Sequence, residues 1–68
     1  MRYAVVIEKA GDNHSAYVPD LPGCIATGDT PEETDLEIRD AIRFHLNGLL
    51  DDGLPIPDPT TVCEYVEA

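Results

Sequence analysis

The sequence predicts a small α+β domain whose elements follow the order β-β-β-α-β. Three observations support this fold class: short runs of β-branched and aromatic residues near both ends, a complete set of helix start and stop signals in the middle, and a rigid proline–glycine corner between strands. With 68 residues, the chain is expected to form one domain over residues 1–68. Because a domain of this size buries only about 60% of its unfolded surface, we expect oligomerisation or a partner to add stability.

The first strand is predicted over residues 2–9. Side chains alternate between two faces, and both are apolar at the centre: Tyr3, Val5 and Ile7 on one, Ala4, Val6 and Glu8 on the other. A single helix covers only one face, so a second molecule is expected over the other, as in a homodimer or homotetramer. Turn residues at 10–13 predict a hairpin to a second strand at residues 14–18.

The corner at residues 19–23 joins the second strand to a third, predicted over residues 24–28. Pro19 and Pro22 preset their own φ angles and favour extended conformations in the residues before them. Gly23 supplies the positive φ that closes a tight turn. We interpret Pro19, Pro22, Gly23 and Gly28 as structural residues.

A helix is predicted over residues 31–52. Thr30 is the expected N-cap, Pro31 occupies the first helical position, and Glu33 completes a capping box. Gly53 is the expected C-terminal cap. The sheet-facing stripe consists of Thr34, Ile38, Ala41, Ile42, His45 and Leu49, flanked by Leu46.

The connector at residues 54–59 has proline at every second position and is expected to be stiff and extended. Residues 60–66, with the sequence TTVCEYV, have high β-propensity and predict a fourth strand. A strand reached through a helical crossover normally runs parallel to its neighbour, so we expect a mixed four-stranded sheet of order 3-2-1-4 with the helix on one face. Cys24 and Cys63 are then reduced thiols on opposite edge strands, too far apart to form a disulfide.

Charge limits the classes of partner. Fourteen acidic residues face four basic ones, a net charge of −10. This balance disfavours direct binding to nucleic acid and favours a basic protein partner. The alternative interpretation is that the acidic residues only keep the protein soluble. No signal peptide and no run long enough to span a membrane is present in the sequence, so a cytoplasmic location is expected.

Catalytic signals are weak. His14 and Asp12, with Asp20 or Asp29, offer metal-ligating groups, but no ligand-like spacing accompanies them. Cys24 has no basic neighbour in sequence to lower its pKa, so a Cys24-dependent hydrolase is the weakest of the alternatives. We therefore expect no enzyme activity, no catalytic residue, no metal and no cofactor.

Four motifs together resemble those of the HicB antitoxin family. They are YVPDLPGC at residues 17–24, GDTPEE at 28–33, Ala41-Ile42, and GLPIP at 53–57, which span nearly the whole chain. One departure is Thr34, where the family usually has alanine. The resemblance implies a partial ribonuclease-H-like fold. It also implies a role: binding a small basic RNA-cleaving toxin of the HicA type and covering its active site.

The resemblance has limits that matter for function. Many family members carry a C-terminal DNA-binding domain, whereas this sequence contains no basic recognition helix, so autorepression by these residues is not expected. The related nuclease fold holds metals with clustered carboxylates, and Glu8, Glu64 and Glu67 do not supply such a cluster. The alternative function is an orphan homo-oligomeric interaction module without a toxin. From charge and expected exposure, the candidate toxin contacts are Tyr17, Asp20, Leu21, Glu32, Glu33, Asp51 and Asp52.

Overall fold

The computed structural model describes all 68 residues and consists of one antiparallel sheet and one helix. The strands are β1 (Val6–Ala10), β2 (Asn13–Tyr17) and β3 (Ile25–Gly28), followed by the helix α1 (Pro31–Asp51). The sheet order is β1-β2-β3, with β2 in the middle. The α+β class and the order of the first four elements are as the sequence predicts, but β1 begins at Val6 and not at residue 2.

The corner between β2 and β3 consists of two consecutive tight turns. The N–H of Leu21 donates to the carbonyl of Val18, and the N–H of Cys24 donates to the carbonyl of Leu21, each at 3.0 Å. The second turn has Pro22 at its second position and Gly23, with φ of +84°, at its third, which is the arrangement of a type II turn. A hydrogen bond from the N–H of Val18 to the carbonyl of Cys24 closes the corner.

Both ends of α1 confirm the caps expected from the sequence. The hydroxyl of Thr30 accepts a hydrogen bond from the N–H of Glu33, whose carboxylate accepts one from the N–H of Asp29. At the other end Gly53, with φ of +68°, donates to Leu50, and Leu54 donates to Leu49. These two bonds form a Schellman motif, which satisfies carbonyls that the helix leaves open.

The core lies between α1 and the sheet. It contains five buried apolar residues together with the buried Thr34, and half-buried side chains of α1 and of residues 3–5 surround it. The five are Ala16, Val18, Leu21, Cys24 and Ile38. Only six of 68 residues are buried, so the isolated chain has little apolar burial to offset its conformational entropy.

The prediction of a fourth strand, and with it a four-stranded sheet of order 3-2-1-4, is wrong for this chain. Residues 60–68 are exposed and contain no strand, and none of the backbone–backbone hydrogen bonds involves residues 55–68. The helix lies over β3 and β2 and barely reaches β1. A strand beyond β1 would therefore have no helix to pack against, and β-propensity alone does not form a strand without such packing.

Candidate interaction surface

A row of apolar side chains crosses the sheet on the face opposite the helix. Tyr17 of β2 pairs with Val6 of β1 on one side and with Ile25 of β3 on the other. Directly paired residues project from the same face, so these three side chains are neighbours. Tyr17 is 43% exposed, Ile25 is 70% exposed and Val6 is half-buried. We call these three residues the open-face row.

The open-face row is uncovered because the helix packs on the opposite face of the same strands. Ala16 pairs with Ile7 and with Ala26, and Ala16 is buried beneath the helix. Since side chains alternate along a strand, the neighbours Tyr17 and Ile25 must point away from the helix. No helix or strand of this chain covers that face, so it remains available to another molecule.

Of the residues predicted from sequence as contacts, Tyr17 lies in the open-face row, whereas Leu21 lies in the core. The side chain of Leu21 is 0% exposed. The expectation that the corner leaves Leu21 free to meet a partner is therefore wrong for the folded chain, because the two turns direct this side chain inward against Val18 and Ile38. Leu21 stabilises the fold and is not part of the exposed surface.

Asp20 also has an intramolecular partner. One carboxylate oxygen accepts hydrogen bonds from the N–H groups of Thr60 and Thr61 at 3.1 and 3.0 Å, and the other accepts from both threonine hydroxyls at 3.0 Å. The backbone hydrogen bond from Thr61 is the largest of several contacts that hold the pKa of Asp20 below its ordinary value, against an opposing effect of desolvation. Asp20 thus anchors the segment after the proline connector to the corner.

The remaining acidic candidates lie at opposite ends of the helix. Glu32 and Glu33 belong to its first turn, and Asp51 and Asp52 to its end. At 1.5 Å per residue, Glu32 and Asp51 are separated by about 28 Å along the axis. The structure therefore does not bring the predicted contacts into one cluster. In addition, the carboxylate of Glu33 already accepts a hydrogen bond from the N–H of Asp29.

Two residues of the open-face row, Val6 and Ile25, were not among the contacts expected from sequence. Alternation along the first and third strands does place both on the face away from the helix. What the alternation does not show is the register, and it is the register that aligns both residues with Tyr17. The surface is a product of strand pairing rather than of any sequence motif.

The groups with catalytic potential do not assemble. No three His, Cys, Asp or Glu side chains come together in an arrangement that could hold a metal ion. His14 has a buried Nδ1 without a hydrogen-bond partner, on the strand face that packs toward the helix. Cys24 is buried, which raises the pKa of its thiol and disfavours the nucleophilic thiolate. Cys63 is free and exposed, and it belongs to no strand, so the expectation that it lies on an edge strand is wrong.

These observations define a small acidic α+β domain whose prominent surface is an uncovered apolar sheet face, which is the character of a protein-binding module. Residues 3–68 match the HicB-like antitoxin of bacterial toxin–antitoxin systems. Because the match extends over nearly the whole sequence, this chain belongs to the HicB-like antitoxin family.

Individual relatives agree with that assignment. A 14.9 kDa protein of Haemophilus phage HP1 is 39% identical over 97% of this chain, and the chain spans half the length of that protein. A UPF0150 protein of Thermoplasma acidophilum is 38% identical over 84% of each sequence. Among solved structures, a chain from the HicA3 and HicB3 toxin–antitoxin complex is similar with a TM-score of 0.75 and 28% identity, covering 88% of this chain and 70% of that one.

The helix of this chain does not combine the length and the apolar composition that a membrane crossing requires.

Proposed function

We propose that this chain is the antitoxin of a toxin–antitoxin pair and that it binds a small basic RNA-cleaving toxin of the HicA type, covering the toxin's active site. The observation that supports this most directly is the similarity, at a TM-score of 0.75, to a chain from a HicA3–HicB3 complex. Membership of the HicB-like antitoxin family supports the same role. Inhibition by occlusion requires binding only, in keeping with a chain in which potential catalytic groups are dispersed.

The open-face row is the contact surface of this proposal. It offers one aromatic and two aliphatic side chains on a rigid sheet, and aromatic anchors at the centre of a contact carry much of the binding energy in protein interfaces. Tyr17 costs little entropy to immobilise because it has only two rotatable side-chain bonds. The toxin is expected to place an apolar patch against this row.

In this proposal, the acidic residues attract the toxin through the combined electrostatic field of the whole chain. Arg39 and Arg43 are already paired with Asp35 and Asp40 on the helix, at 2.9 and 3.1 Å. The helix ends therefore present Glu32, Asp51 and Asp52 to solvent without a neighbouring cation. A net charge of −10 attracts a basic protein over several ångströms and increases the rate of encounter.

The test uses a small basic protein of the HicA type, which we expect to be encoded beside the gene for this chain, with a toxin active-site substitution so that it can be purified. We expect Ile25→Lys to weaken binding at least tenfold by calorimetry, because it places a cation within the contact, facing a basic partner. Phe44→Lys is the matched control: Phe44 is 83% exposed on the helix, and this variant should bind within about threefold of the unaltered chain.

Two results would contradict the proposal in different ways. Absence of binding by the unaltered chain, together with failure to restore growth of cells that express the active toxin, would exclude the antitoxin role. If Ile25→Lys and Phe44→Lys changed toxin affinity equally, the antitoxin role would still hold, but the open-face row would be excluded as the contact surface.

A further inference from the structure

We propose that the free edge of β3 binds an extended segment of the toxin, which adds a strand to the sheet and directs basic side chains into a groove beside the helix. This inference rests on the proposed antitoxin role and extends the contact from the open face to the neighbouring edge. β3 pairs with β2 and with no other strand, so Ile25–Gly28 forms one border of the sheet. Exposed sheet edges are frequent sites of recognition for extended segments.

The backbone of β3 presents hydrogen-bonding groups at this edge. The N–H of Val18 donates to the carbonyl of Cys24 at 3.2 Å, directly beside the paired residues Tyr17 and Ile25. In an antiparallel pair, residues that exchange hydrogen bonds alternate with residues whose N–H and carbonyl point away from the partner strand. Ile25 and Thr27 therefore direct both backbone groups outward, and no further strand of this chain reaches them.

The helix provides cover for a strand at this edge. It packs over β3 and β2 and barely reaches β1, so a strand beyond β3 lies beside the helix, whereas a strand beyond β1 does not. The two edges also differ in charge. β3 has the sequence IATG without a charged residue, whereas β1 carries Glu8 and Lys9. Charged side chains on an edge strand disfavour pairing with another chain, so β3 is the more receptive edge.

An open groove of about 370 Å³ lies between the β3 edge and the first turns of the helix. It is lined by Thr27, Gly28, Asp29, Glu33, Leu36 and Glu37. Leu36 is 65% exposed and adds apolar surface beside the three carboxylates. The groove is therefore suited to side chains that combine an aliphatic stem with a positively charged end, as lysine and arginine do.

The carboxylates of this groove have no cationic partner within the chain. Glu33 accepts a hydrogen bond from the N–H of Asp29, and Glu37 takes part in no salt bridge. The two arginines of the helix are paired with other carboxylates. The remaining basic side chains are Lys9 in β1 and Arg2 before it, toward the opposite border of the sheet. Cations from another molecule are therefore complementary to this edge.

Charge also decides which molecule fits the edge. A second copy paired through β3 would bring two sets of these carboxylates together, and like charges across an interface oppose binding. A basic protein brings the opposite charge, and the toxin of the proposed function is such a protein. Ile25 belongs both to the open-face row and to β3, so the row and the edge form one continuous surface.

Strand geometry determines the sequence pattern of the bound segment. Along β3, Ile25 projects to the open face and Ala26 to the helix side, and the side chains of an added strand alternate in the same way. One set extends the open-face row beyond Ile25, and the other enters the groove beside Glu33 and Glu37. We expect a toxin segment about as long as β3, with lysine or arginine at every second position and apolar residues between them.

Amide hydrogen exchange in the complex tests the edge directly. The toxin carries the active-site substitution described above, and its binding is first measured by calorimetry. We expect the amides of Ile25 and Thr27 to exchange roughly tenfold or more slowly in the complex than in the free chain, because each then donates within a ladder. The matched controls are the amides of Ile7 and Lys9, which by the same alternation point outward from β1 and should keep their rates.

A charge reversal tests the groove. Glu37→Arg should weaken toxin binding about fivefold, because it places a cation where a basic side chain of the toxin is expected. The helical circular dichroism signal should not change, since Glu37 is exposed. Asp58→Arg is the matched control: it changes the net charge equally but lies in the connector, next to Pro57, whose carbonyl accepts a hydrogen bond from Tyr3. This variant should bind within about twofold of the unaltered chain.

The outcomes separate the edge contact from the antitoxin role. Toxin binding without slower exchange at Ile25 and Thr27 would overturn the edge contact and leave the antitoxin role intact. Equal effects of Glu37→Arg and Asp58→Arg would also overturn the edge contact, since only the overall charge would then matter. Absence of toxin binding by the unaltered chain would exclude the antitoxin role and, with it, the edge contact.

Discussion

Gly28 is placed where the end of β3 approaches the first turn of the helix. A Cβ at this position would lie 2.7 Å from the Oγ1 of Thr34 and 2.8 Å from its backbone nitrogen. Thr34 is fully buried, and its hydroxyl donates to the carbonyl of Thr30 at 2.7 Å, so it has no room to move aside. The absence of a side chain at Gly28 is what allows the helix to start this close to the sheet.

We expect Gly28→Ala to lower the free energy of unfolding by about 1–3 kcal/mol, the usual cost of overpacking a tight contact. Gly48→Ala is the matched control. A Cβ at Gly48 meets nothing within 4 Å, and alanine in a helix interior is favoured over glycine by roughly 0.5–1 kcal/mol. Urea unfolding of the two variants should therefore give shifts of opposite sign, and a stabilising effect of Gly28→Ala would show that the helix start is not tightly packed.

At the scale of the element, the corner has two functions that divide between neighbouring residues. Leu21 fills the core, while Asp20 reaches outward to bind the segment that begins at Thr60. The corner therefore sets the position of β3 and of the segment after the proline connector. This second contact joins residues that are 40 positions apart in sequence.

The anchor at Asp20 should depend on pH in a defined direction. Because hydrogen bonds hold its pKa below the ordinary value of 3.8, the anchor is fully formed above that value and is lost as the pH falls through the lowered pKa. We expect the amide proton shifts of Thr60 and Thr61 to be constant from about pH 7 to pH 5 and to change below about pH 4.

Asp20→Asn should remove the pH dependence, because a carboxamide does not titrate in this range. Its oxygen can still accept from both backbone N–H groups, whereas its NH2 group cannot accept from the threonine hydroxyls. The control is Asp58→Asn, in the connector beside the same segment, which should preserve the titration. If the Thr60 and Thr61 shifts in the unaltered chain do not change at low pH, the anchor is not formed in solution.

At the scale of the whole molecule, the excess of acidic residues opposes the compact state. The net charge is −10 and the isoelectric point is about 4.1. Like charges repel more strongly in the folded chain than in the unfolded one, where they are further apart. The charge distribution that favours a basic partner therefore reduces the stability of the free chain.

We expect salt to stabilise the isolated protein at pH 7. Raising NaCl from 0.05 to 0.5 M should increase Tm by several degrees, since screening reduces the repulsion and roughly 4–8 °C corresponds to 1 kcal/mol in a domain of this size. The same salt increase near pH 4.1 should have little effect because the net charge is then near zero. A fall in Tm with salt at pH 7 would show that attractive pairs outweigh the repulsion.

Local signals predicted the elements that depend on neighbours in sequence. Thr30, Pro31 and Glu33 predicted the start of the helix, and Gly53 predicted its cap, because these residues bond to groups three to five positions away. Pro22 and Gly23 predicted the turn for the same reason. The apolar stripe of the helix also corresponds to the side packed on the sheet, with Thr34 and Ile38 buried.

Contacts between distant parts of the chain were decided only by the tertiary structure. The β-propensity of residues 60–66 predicted a strand, but forming one depends on cover from the helix, which lies over β2 and β3 instead. Asp20 and Leu21 looked equally exposed in sequence, and only the fold directs one outward to Thr60 and the other into the core. The family was evident from the sequence motifs, whereas the open-face row exists only because strand pairing brings together residues that are far apart in the chain.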